Sequence, residues 1–69
     1  MTRPELHALV DIVMDARDKG IELEIRISEN IIFIDWKFPN PHHIYLSLFD
    51  TFSDFTQAVK EYIKTLETK

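Results

Sequence analysis

Residues Ile21 to Leu48 constrain the fold more than any other part of the chain, and their first seven residues do so most. Ile21, Leu23, Ile25 and Ile27 alternate with Glu22, Glu24 and Arg26, and a period of two places alternate side chains on opposite faces of a sheet. A second run puts Ile32, Ile34, Trp36 and Phe38 on one parity, and a third does the same with Ile44, Leu46 and Leu48. Three strands with one apolar face require a covering layer.

The flanking segments supply it. Thr2-Arg3-Pro4-Glu5 is a capping box in which the Thr2 hydroxyl accepts from the third helical amide and Glu5 reaches back to the Thr2 amide. Leu6, Leu9, Val10, Val13 and Met14 follow at helical spacing, widened by Ala8 and Ile12, and Gly20 can end the helix in the left-handed conformation. Near the other end Phe52, Phe55, Val59, Tyr62, Ile63 and Leu66 form a second stripe, with Asp50, Thr51 or Ser53 as its cap. The expectation is a single small α+β domain spanning residues 1–69: helix 3–19, strands 21–28, 31–38 and 43–49, and helix 52–67. The sheet is antiparallel and three-stranded, with both helices packed on one face.

A two-residue loop at Glu29-Asn30 fixes the first register. It sets Ile27 opposite Ile32, Ile25 opposite Ile34, Leu23 opposite Trp36 and Ile21 opposite Phe38, whereas a slip by one residue would turn Asp35 and Lys37 inward. The same register pairs Glu22 with Lys37 but opposes Glu24 to Asp35, a like-charge contact that Arg26 or Lys37 can relieve diagonally. Pro39-Asn40-Pro41 then interrupts the ladder, since proline lacks the amide donor.

Composition narrows the function. In 69 residues, 45% of them apolar, nearly all the apolar side chains are needed for packing. Cysteine is absent, which excludes disulfides, thiolate ligands and a cysteine nucleophile. Gly20 is the single glycine, so a glycine-rich phosphate loop is excluded, and no catalytic or cofactor-binding set stands out. His42 and His43 are adjacent and point apart in extended geometry, while His7 and Asp11 lack the partners that complete a metal site. The chain therefore reads as a non-enzyme with no metal and no cofactor. With no apolar run of membrane-spanning length and no signal-like start, the expected address is the cytoplasm.

The net charge is −4, and all of it falls in residues 1–35, which hold eight acids against four bases. Such a surface repels phosphate backbones and favours a protein partner with a basic surface. Two surfaces are candidates for that partner. On the sheet face opposite the helices, Phe33 and Tyr45 lie between Arg26 and Lys37, an aromatic patch with a charged rim. On the first helix Asp11, Asp15 and Asp18 recur at i, i+4 and i+7 and form an acidic stripe.

The order helix, three strands, helix resembles that of double-stranded RNA-binding domains. The resemblance implies contacts through the first helix, an inter-strand loop and a basic cluster opening the last helix. Here that helix opens Thr51-Phe52-Ser53-Asp54-Phe55-Thr56-Gln57, with no lysine before Lys60, so the charge disfavours nucleic acid. The order is also similar to that of some small acidic phage-encoded inhibitors of host defence enzymes. The resulting expectation is a binding or regulatory protein that acts by protein contact, in the manner of a phage or mobile-element inhibitor of a host protein. The alternative is a structural homo-oligomer or homodimer that pairs through its sheet face.

Overall fold

A computed structural model describes residues 2–67. The first helix, α1, spans Arg3–Asp18 and begins at the expected box, with Glu5 N–H donating to Thr2 Oγ1 (3.3 Å) and Thr2 N–H to Glu5 Oε1 (2.8 Å). It closes through Gly20 at φ 82°, whose N–H donates to Arg17 O (2.9 Å) while Ile21 N–H donates to Ala16 O (3.0 Å). That pair of bonds is a Schellman motif, and it seats Ile21 and Ala16 together in the core.

Strands β1 (Glu22–Ser28), β2 (Ile31–Phe38) and β3 (His42–Tyr45) form an antiparallel sheet in the order β1-β2-β3. The Glu29-Asn30 loop holds Glu29 at φ 52°, and the register opposes Ile27 to Ile32, Ile25 to Ile34 and Leu23 to Trp36. Beyond Leu23 the pairing departs from expectation. A bulge opposes Glu22 to Phe38, so Lys37 has no partner across the strands and Glu22 does not meet it. Phe38 is thereby aligned with an outward residue and is exposed, while Ile21 is buried without it. The Phe38-Pro39 peptide is cis.

The third strand is also shorter than the expected 43–49. After Tyr45 the chain forms a 3₁₀ turn over Leu46–Leu48, closed by Phe49 N–H donating to Leu46 O (3.1 Å). This turn lifts the chain from the sheet to the helix layer and replaces a period of two with a period of three. Leu46 and Phe49 pack against the core, whereas Leu48 is 74% exposed. Helix α2 (Phe52–Glu67) follows, capped by the Thr51 hydroxyl, which accepts from Asp54 N–H (3.1 Å).

Leu9, Ile12, Val13 and Ala16 of α1, Phe55, Val59 and Ile63 of α2, Leu23, Ile34 and Trp36 of the sheet, and Ile21 just before β1 form one buried cluster. The helices run in the same direction, with Lys19 Nζ at the end of α1 3.1 Å from Glu67 Oε1 at the end of α2. The buried stripe of α1 is rotated from the expected one, leaving Val10 and Met14 42% and 55% exposed. Among the described residues no helix is long and apolar enough to cross a membrane.

Candidate functional site

Strand parity directs Arg26, Phe33, Asp35, Lys37, His43 and Tyr45 to the sheet face that the helices leave uncovered. Phe33 and Tyr45 are opposed across β2 and β3, and their rings stack at 4.8 Å with planes 28° apart. His43 completes the cluster edge-on, 5.4 Å from Phe33 and 6.2 Å from Tyr45. The two large rings are half-buried against each other, and Ile31 beside them on the same parity is exposed.

Asp35 sits at the centre of the polar half of this face. It is only 8% exposed although it points away from the core, because three cationic or protonatable side chains fold over it. Arg26 Nε donates to Asp35 Oδ2 at 3.1 Å, Lys37 Nζ lies 3.4 Å from the same oxygen, and His43 Nε2 is 3.0 Å from Oδ1. Arg26 also reaches Glu24 Oε2 at 3.6 Å, so the diagonal relief expected for the opposed Glu24 and Asp35 is present. Burial raises the energy of the Asp35 carboxylate, but the bonds from Lys37 and Arg26 and the nearby His43 outweigh it and hold its pKa below the ordinary aspartate value.

Phe33, Tyr45, Arg26 and Lys37 thus come together on one surface. Strand parity in the sequence puts Asp35 and His43 on this face as well, but sequence reasoning did not count them among its contact residues. Their signal was the pairing of positions 35 and 43 across β2 and β3, with Arg26 one diagonal away.

The three helix aspartates are all exposed. Asp11 and Asp15 border the groove between the helices, where Phe52, Thr56 and Lys60 form the other wall. Asp18 lies outside that groove.

His42 points to the opposite side of the sheet from His43. It stacks on Tyr62 (4.1 Å, 18°), which meets Trp36 edge-on at 4.8 Å. Trp36 Nε1 is buried there without a hydrogen-bond partner among the described residues. No three His, Asp or Glu side chains gather at metal-binding distance among the described residues. Comparison with protein-family models, curated proteins and solved structures finds no match for this chain.

Proposed function

We propose that this protein acts by contact, as a binding or regulatory module that engages a protein partner through the uncovered face of its sheet. The observation that carries this reading is the Phe33–Tyr45–His43 cluster beside the Arg26–Asp35–Lys37 group, an aromatic platform and a fixed set of charges on one rigid surface. Ring faces attract cationic side chains, which suits a partner with a basic surface, as does the acidic first half of the chain. The charge set favours binding over chemistry. Asp35 is engaged by three neighbours and its basicity is lowered, which makes it a poor proton acceptor.

Phe33→Ser tests the proposal. The ring is half-buried on the outer face and lies outside the core cluster, so the variant should keep its circular dichroism spectrum while losing captured partners in an affinity pull-down from host lysate. Met14→Ala, on an exposed part of α1, serves as the control that retains them. Identical partner recovery by wild type and a folded Phe33→Ser would rule the outer face out.

A further inference from the structure

We infer that β1 pairs with β1 of a second copy, in one register, to give a two-fold dimer with a continuous six-stranded sheet. The sheet order leaves β1 as an edge strand of seven residues, and such an edge is a template for another strand. The argument for a second copy of this chain lies in the order of its side chains.

Ser28 and Ile31 close a two-residue loop and therefore form a hydrogen-bonded pair. The alternation of an antiparallel ladder then turns the N–H and C=O groups of Leu23, Ile25 and Ile27 away from β2 and towards the open edge. Two copies related by a dyad through Ile25 satisfy all of these groups mutually, with Ile25 opposite its own copy and Leu23 opposite the copy's Ile27. The intervening residues fall at the closer, non-hydrogen-bonded positions. There Glu24 meets Arg26 of the second copy, and Arg26 meets its Glu24.

The neighbouring registers that keep the apolar residues on one face lose the charge pairing: a dyad through Ile27 sets Arg26 opposite Ser28 and Glu24 opposite Asn30. A dyad through Glu24 opposes Glu24 to itself, and one through Arg26 opposes Arg26 to itself. A dyad through Leu23 opposes Glu22 to Glu24. Registers of the other parity would turn one copy's apolar face to solvent. The sequence Glu22 to Ser28 is thus self-complementary in charge, hydrophobicity and hydrogen bonding about Ile25.

Exposure supports the same edge. Ile27 belongs to the apolar parity of β1 yet is 60% exposed. On α1, Val10, Met14 and Arg17 stand at i, i+4 and i+7 and so share a side. Arg17 borders a hollow with Ile21 and with Glu22, Leu23 and Glu24 of β1, which places the exposed Val10 and Met14 on the flank towards the open edge. The dyad stands perpendicular to the sheet. Both helix layers therefore lie on one side, and both Phe33–Tyr45 platforms face out together on the other. The inference is independent of what those platforms bind.

The test is light scattering on size exclusion over a dilution series from high to low micromolar, with variants of the paired charges. The wild type should approach twice its 8.2 kDa mass at the high end. Glu24→Arg gives up the exposed contact with Arg26 within one copy but sets a cation opposite Asp35, so it should fold while weakening self-association by about tenfold or more. Glu24→Arg combined with Arg26→Glu should restore it. Register is read separately by oxidation of a single introduced thiol. Ile25→Cys should form a covalent dimer, since its Cα atoms would lie about 5.5 Å apart. Ile27→Cys should not, with its copies about 14 Å apart. A wild type that stays monomeric at every concentration would overturn the inference. So would a dimer insensitive to Glu24→Arg, or cross-linking at residue 27 in preference to 25.

Discussion

Asp35 shows how one side chain can be buried on a face that strand parity assigns to solvent. The carboxylate is enclosed by neighbours that themselves remain exposed, and its charge is retained because Lys37, Arg26 and His43 surround it. Its folded-state pKa lies below the unfolded value near 3.8, so the unfolded chain binds the proton more readily and stability rises with pH through that window. The contribution is complete above the unfolded pKa and disappears as pH falls through the folded one. Glu5 behaves the same way, since bonds from the Thr2 amide and then the Thr2 hydroxyl lower its pKa. Asp35→Asn should therefore melt below wild type at neutral pH, with the two converging under strong acid. Thermal melts by circular dichroism from neutral to strongly acid pH give the comparison. A constant gap between the two proteins at every pH would mean that the Asp35 charge does not contribute.

The first two strands were readable from sequence because one buried face admits only one register, and Leu23–Trp36, Ile25–Ile34 and Ile27–Ile32 all follow from it. The third was not. Ile44, Leu46 and Leu48 fit a period of two, while Leu46, Phe49 and Phe52 fit a period of three equally well, and the choice depends on where α2 must begin. The same limit applies to α1. Large apolar residues at helical spacing pointed to Val10 and Met14, whereas the buried positions include the small Ala16, where the chain packs closely beneath the Schellman turn. On the uncovered face, parity was enough to gather Phe33, Tyr45, Arg26 and Lys37. It could not show that Asp35 would be covered, because that depends on how long side chains bend across strands. The rotated stripe predicts opposite outcomes for two substitutions on α1. Ala16→Leu should destabilise by about 1–3 kcal/mol through overpacking, and Met14→Ala should stay within about 0.5 kcal/mol in dilute solution. Urea denaturation followed by Trp36 fluorescence measures both, and the reverse order would restore the stripe read from sequence.

Both helices and the buried apolar residues of the sheet meet in one cluster, so a single core serves every element and unfolding should be cooperative. Trp36, the single tryptophan, is fully buried in it. Its emission should therefore change in the same urea range as the helical circular dichroism signal, and separated transitions would contradict a single cooperative unit. A core in a chain this short supplies about 3–5 kcal/mol in all, and truncating a buried leucine to alanine removes about 2–5 kcal/mol. Leu9→Ala, at a position wholly inside the cluster, should thus leave the isolated protomer close to its unfolding midpoint without denaturant. Association through β1 would pull that equilibrium back, because a second copy binds only the folded edge. Helical signal in Leu9→Ala should then rise as protein concentration increases. The same series with Glu24→Arg added should be flat, since the charge pattern that selects the partner strand would be gone while the core defect remained. A rise of equal size in both series would place any association elsewhere on the surface.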